Sequence, residues 1–289
     1  MSESFYVPTG ADTWLATSHT TGPWDARAQH GGPPSALLGR AMQRCEPRDD
    51  MIIARFTCEI LHVIPVGEIA VRARLARPGR SVELLEAVVS ADGREVARAT
   101  AWRVRRTDSP PVVPPQPAPP PLPGDPPPGA PPPALPGRPP PGPAGEPASA
   151  PPGEPPPAAP AWWVDGYLSA MEWRPVRGRF AEPGPATVWG RMRYPLVPDE
   201  EPGPLERVLT VADSGNGVSG ALDFRHWQFI NPELTVHLHR EAAGEWICLD
   251  AQTGISTGGA GLATSVLSDL DGQVGVGAQS LLVVSRRPG

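Results

Sequence analysis

Apolar and polar residues alternate through four successive stretches of the first third of the chain: IIARFTCEILHVI, EIAVRARLAR, SVELLEAVVSA and EVARATAWRVR, spanning residues 52–106. Period-two alternation places the apolar set on one side of an extended backbone, which is the pattern of half-buried strands. Pro78-Gly79 and Asp92-Gly93 fall between stretches as turn signals, so the pattern predicts an antiparallel meander. Just before it, PPSALLGRAMQRC spaces Leu37, Leu38, Ala41, Met42 and Cys45 at helical intervals, with prolines at the amino edge. One amphipathic helix is expected to precede the sheet.

The same order recurs later. PLERVLTVADSGNGVSGAL reads as a helix, and ELTVHLHR, EWICLDAQT, GLATSVLSD and the final SLLVVSRR read as strands, with a second Asp-Gly turn at Asp271-Gly272. SFYVP with WLATSHT, and AMEWRPVRGRF with ATVWGRMRYPL, are the expected opening strands of the two halves. A repeated helix-then-meander pattern predicts a tandem duplication of one α+β unit.

Composition divides the halves. Of the 43 prolines in 289 residues, 27 fall between Pro110 and Pro160, where little else but Ala, Gly and a few polar residues occurs. Such a stretch cannot bury enough side chain to offset its ordering entropy, so it is expected to be a largely polyproline II linker and only secondarily a ligand for a proline-reading partner. The expected organisation is a folded module over 1–109, a proline-rich disordered linker over 110–160 and a second module over 161–289.

All 25 basic residues are arginines, which excludes Schiff-base lysine chemistry and a Walker-type phosphate loop. A formal net charge of −6 argues against a nucleic-acid partner. Cys45, Cys58 and Cys248 are odd in number and far apart, which fits reduced thiols rather than a disulfide framework or a cysteine-ligated zinc site. No window approaches the ~18 consecutive apolar residues of a membrane span, and the first residues, MSESFYVPTG, lack a signal-peptide pattern. A cytoplasmic location is expected.

Three motifs carry candidate chemistry. His30-Gly31-Gly32-Pro33-Pro34 leads into the first helix, where free backbone N–H groups would suit a carbonyl oxygen gaining charge; a plain loop entering a helix gives the same residues. Glu233, Thr235, His237 and His239 share one face of a strand, which admits a metal pair lacking an evident third ligand, a solvent-exposed or interface stripe, or a carboxylate that activates water. GNGVSG over 215–220 matches a dinucleotide-type glycine pattern outside the βαβ unit such a site needs, and glycines closing a helix explain it equally. A serine-hydrolase elbow is missing from the sequence.

On FYVPTG, HTTGPWDARAQHGGPPSALLGRAM, IARFTCEILHVIPVGE, NPELTVHLHREAAGEW, CLDAQT and VGVGAQSLLV, the chain resembles the acyl-CoA thioesterase family with a double hotdog fold, the group containing bacterial thioesterase II. The proline-rich insert lies outside the resemblance. It implies an α+β tandem hotdog, two antiparallel sheets each wrapped around a central helix, packed side by side so that the sheets form one continuous layer, with the active site between the halves. It further implies hydrolysis of acyl-CoA, or an acyl-carrier thioester, without metal or other cofactor, by a water held between a carboxylate, a hydroxyl and a glutamine. In register with the motifs these are Glu233, Thr253 and Gln279, with His30, Gly31 and Gly32 on the substrate side. The family more often has Asp where Glu233 stands. Asp213 and Asp250 are rival carboxylates that spacing leaves open. Hotdog sheets commonly pair further, which implies a homo-oligomer. A non-catalytic acyl-thioester binder and an enoyl-thioester hydratase or dehydratase are the alternatives to the hydrolase.

Overall fold

The computed structural model describes residues 3–110, 112, 117–124, 166–178, 183–223 and 226–286. Most of the stretch expected to be a linker therefore lies outside the described residues. The first half comprises β1 (Tyr6–Pro8), β2 (Thr13–Ala16), a short 3-10 turn (Ser18–Thr20), α1 (Gly32–Arg44), β3 (Met51–Ile60), β4 (Glu68–Arg77), β5 (Val82–Ala91) and β6 (Arg94–Arg105). The second comprises α2 (Tyr167–Ala170), β7 (Met171–Arg177), β8 (Ala186–Met192), α3 (Pro204–Ala212), α4 (Gly215–Val218), β9 (Trp227–Ile230), β10 (Glu233–Leu238), β11 (Ile247–Ile255), β12 (Ala260–Asp269) and β13 (Gly272–Ser285).

The sheets expected of the two halves join edge to edge into one 13-stranded sheet, because β3 and β10 pair with each other. Outward from that seam the halves run in the same order, β3-β6-β5-β4-β2-β1 on one side and β10-β13-β12-β11-β8-β7 on the other, with β9 added against β13. Every named pairing is antiparallel. The turn between β5 and β6 holds Asp92 and Gly93 at φ of 51° and 74°, a left-handed pair suited to a tight hairpin. The second Asp-Gly turn is displaced by one residue: Asp269 pairs with Gly272, so Leu270 and Asp271 form the tip. The buried Asp269 side chain accepts the Asp271 N–H at 2.9 Å, which sets this register. The short β9 was not expected, since four residues among Trp and Phe carry too little alternation to announce a strand.

The helices pack on each other and on one face of the sheet. Leu37, Leu38 and Met42 of α1 and Leu205, Val208 and Leu209 of α3 are buried, each such side chain contributing about 1.5–3 kcal/mol by leaving water. Gly39 marks the crossing: a Cβ there would lie 2.7 Å from Leu209 Cδ1, so the α1 backbone comes close to α3. At the seam, Phe56, Cys58, Leu234 and Val236 face this core, while Thr57, Glu59, Glu233, Thr235 and His237 alternate onto the outer face. The polar stripe read on β10 is thus matched by a polar row on β3, with Thr57 Oγ1 donating to Thr235 Oγ1 at 3.2 Å, since the one Thr235 hydroxyl proton goes to the Glu233 carboxylate. No helix among the described residues is long and apolar enough to cross a membrane.

Candidate active site

Helix α3 starts at Pro204 after Gly203, whose N–H is held by Glu206 Oε2 at 3.2 Å, and it carries Leu205, Val208, Leu209 and Ala212 inward. Asp213 follows at its carboxyl end, where the chain bends through Ser214 before α4; the single helix expected over this stretch is therefore broken at Asp213. The carboxyl end of α3 meets the amino end of α1, which explains the glycine pair in the His30-Gly31-Gly32 motif. A Cβ on Gly31 would stand 2.7 Å from Asp213 Oδ2, and one on Gly32 would collide with the Thr210 carbonyl oxygen.

Asp213 is 4% exposed, and its two oxygens have distinct surroundings. Oδ1 accepts from Asn231 Nδ2 at 2.8 Å and from Gln279 Nε2 at 3.2 Å. Gln279 is itself fixed, donating also to the Asp213 carbonyl at 3.0 Å and accepting from the Asn216 N–H at 3.0 Å through Oε1. Oδ2 lies 3.2 Å from His30 Nδ1. That nitrogen is also 3.1 Å from the Gly32 N–H, so a protonated Nδ1 satisfies Asp213 and a bare Nδ1 satisfies Gly32. Burial lowers the His30 pKa below its ordinary value of 6.5 against the opposing pull of Asp213, which keeps the ring neutral near pH 7. The imidazole stacks on Tyr167 with centroids 3.8 Å apart and planes 9° from parallel. Tyr167 in turn donates to the Thr210 carbonyl at 2.7 Å, so the contact of its oxygen with Ser214 Oγ at 2.9 Å must be donated by Ser214.

The expected trio is thus distributed over three places. Gln279, on the core face of β13, reaches Asp213. Thr253 reaches Ser219 Oγ at 2.8 Å; because Ser219 spends its one proton on the Gly215 carbonyl, Thr253 is the donor. Glu233 alternates with the buried Leu234 and lies on the outer face, where Oε1 accepts the Ser280 N–H at 2.6 Å and Oε2 accepts Thr235 Oγ1 at 3.1 Å. The rival Asp250 binds Arg177 and Thr187 Oγ1, each at 2.8 Å. Asn231, Tyr167 and Asn216 escaped the sequence reading. Only the folded chain shows the Asn231 amide against Asp213.

Residues 20–104 match the family model described as the acyl-CoA thioesterase N-terminal domain, and residues 147–283 match that of the acyl-CoA thioesterase C-terminal domain. Among solved structures, a conserved protein of unknown function with hot dog fold from Alicyclobacillus acidocaldarius superposes with a TM-score of 0.65 at 15% identity, over 98% of this chain and 96% of its own. The acyl-CoA thioesterase II of Mycobacterium marinum gives 0.61 at 14% identity over 98% and 96% of the two chains. The tesB protein of Mycobacterium avium subs paratuberculosis gives 0.61 at 16% identity over 96% and 95%. At such identities the structural likeness speaks for the hotdog fold. No curated protein matches the sequence.

Proposed function

We propose, for a chain that belongs to the acyl-CoA thioesterase family and hydrolyses acyl-CoA thioesters, that Asp213 is the base that activates the attacking water. The observation that carries this reading is the convergence of Asn231 and Gln279 on Asp213 Oδ1, with Oδ2 against His30 and Gly31. Two amide donors fix the carboxylate in one orientation, which is what a base needs to meet a water in line with a carbonyl carbon. The water gives one proton to Asp213 and keeps its second, which it donates as a hydrogen bond to the Asn231 side-chain carbonyl. Its oxygen bonds to the thioester carbon, and collapse of that adduct breaks the C–S bond. The thiolate leaves readily because its conjugate acid has a pKa near 8.5, and it takes back the proton from Asp213.

His30, Gly31 and Gly32 have a double role in this scheme. They bring the amino end of α1 to the carboxylate, whose negative charge suits the positive end of the helix dipole, and the Gly31 N–H polarises the thioester carbonyl. Gln279 keeps the role the family resemblance gives it. Thr253 supports the α4 turn through Ser219 and does not touch the water. Phe229, Leu281 and Val283, a buried apolar cluster flanked by Ile255, offer the acyl chain a wall on the same face as Gln279. The wider reading is a double hotdog, in which each half of the sheet wraps its own helix, α1 or α3, and the site lies between the halves. The modules are 1–109 and 161–289, the substrate is carried on CoA or a carrier protein, and further pairing of sheets gives a homo-oligomer.

Thiol release from a panel of acyl-CoAs tests this. Asp213→Asn is expected to lower kcat by about 10²–10⁴-fold in a protein that still folds, whereas Glu233→Ala keeps most of the wild-type rate. The reverse result, a dead Glu233→Ala and an active Asp213→Asn, would return the base to β10.

A further inference from the structure

On the outer face of β7, β8 and β11, Arg174, Trp189 and Cys248 stand side by side in register across the three strands. Their neighbours in sequence, Trp173, Val188 and Leu249, face the core, so this row should meet solvent. Instead Trp189 is fully buried, Cys248 is 2% exposed, and with Trp246 they form an apolar cluster separate from the main core. What covers them is residues 117–124, with the sequence PAPPPLPG: Leu122 packs on the cluster. Trp189 Nε1 donates to the Pro120 carbonyl at 3.2 Å and Arg174 Nη1 donates to the Pro123 carbonyl at 2.7 Å. The Arg174 guanidinium also lies 4.5 Å from the centre of the Trp246 ring, and that of Arg191 4.8 Å from it.

Proline fixes its own φ and pushes the preceding residue into extended conformations, so a run with prolines at 117, 119, 120, 121 and 123 is held near polyproline II. That helix has three residues per turn and leaves its carbonyls unpaired. Pro120 and Pro123 are three apart, so their carbonyls project from one side, and both are taken by this face. Indole and guanidinium donors spaced for carbonyls one turn apart, on an aromatic floor, form a reading head for polyproline.

We propose that Arg174, Trp189 and Trp246 form a polyproline-binding groove on the outer face of the second half, and that the chain's own Pro119–Pro123 is its ligand, held in cis as a strap. The groove takes any free segment of the same conformation once the strap is out. While the strap is in, its high effective concentration excludes competitors.

The probe is a labelled synthetic peptide of residues 117–124, followed by fluorescence anisotropy against the full chain and against a strap variant carrying Pro120→Gly, Pro121→Ser, Leu122→Gly and Pro123→Ser. The strap variant is expected to bind the peptide at least about tenfold more tightly than the wild type does. Adding Trp189→Phe, which keeps an aromatic ring and removes the N–H, should weaken that binding by up to about tenfold. A folded strap variant that ignores the peptide overturns the groove. Alkylation mapped by mass spectrometry gives an independent reading with a single change: Leu122→Gly should speed labelling of Cys248 severalfold over wild type and leave Cys58, buried in the main core, unaltered. Equal Cys248 rates in the two proteins overturn the strap, even if the multiple variant fails to fold.

Discussion

The Asp213 carboxylate fills the space in which a side chain at position 31 would stand, with Oδ2 only 2.7 Å from where the first carbon of that side chain would be. Gly31 belongs to the helix entry of the first half and Asp213 to the helix exit of the second, 182 residues later in the sequence. The two halves thus complete each other at the site: one supplies a gap, the other the charged group that occupies it.

Substituting Gly31 should therefore move the carboxylate more than it unfolds the protein. Gly31→Ala is expected to lower kcat by roughly ten- to a hundredfold, since small displacements of a base are costly to a near-attack geometry. Gly32→Ala, which strikes backbone rather than a side chain, should instead lose stability by about 1–3 kcal/mol. Steady-state kinetics beside urea unfolding of both variants separates the two effects, and a Gly31→Ala enzyme with unchanged kcat would break the link.

His30 makes stability depend on mildly acidic pH. Its folded pKa lies below the ordinary 6.5 because burial disfavours the charged ring, so the unfolded chain binds the proton first as pH falls. The stabilisation is complete above 6.5 and is lost as pH drops from there towards the folded value. Melting curves between pH 7.5 and 5 should show a steeper decline for wild type than for His30→Gln; parallel curves would mean that the imidazole is not penalised by burial.

Thr253 offers a contrast. Thr253→Val removes one donor to Ser219 and leaves the Asp213 cluster intact, so stability should fall by about 1 kcal/mol while kcat stays within a few-fold of wild type. A loss of kcat as large as that of Asp213→Asn would place Thr253 at the water after all.

Asp269 holds the far end of the second meander. It is fully buried, and although burial raises its pKa, Arg240 and the N–H groups of Ala243 and Asp271 overcome this and hold it below the ordinary 3.8. Arg240 binds both its oxygens, at 2.5 and 2.6 Å. Asp269→Ala strands the guanidinium and its neighbours and should cost about 3–5 kcal/mol in urea unfolding. The stabilisation from Asp269 is present above 3.8 and is lost as pH falls through the folded value, so the wild type should lose more stability in acid than Asp269→Asn does. Equal acid dependence would show that the pair adds nothing.

Much of the fold was legible because period-two alternation survives any tertiary context. The stretches from Glu68, Ser81 and Glu95 became β4, β5 and β6 almost residue for residue, and PPSALLGRAMQRC became α1. The site was legible only in part. His30-Gly31-Gly32 is readable as a motif, whereas Glu233 and Gln279 follow from the family resemblance alone; the structure puts Glu233 on the outer face and brings Gln279 to Asp213. One residue of strand register reverses a side chain, and no local pattern tells which face of β10 will look towards α3.

What the sequence determined by itself is local: strand and helix periods, the glycines that permit close approach, the all-arginine basic set and the stiffness of PAPPPLPG, all of which follow from backbone sterics and side-chain chemistry within a few residues. What only the tertiary structure decided is the meeting of distant groups: β3 with β10, Gly31 with Asp213, Asn231 with the same carboxylate, Pro120 with Trp189. These contacts depend on how two amphipathic helices bury their apolar stripes against one twisted sheet, and that packing is a property of the whole chain rather than of any segment of it.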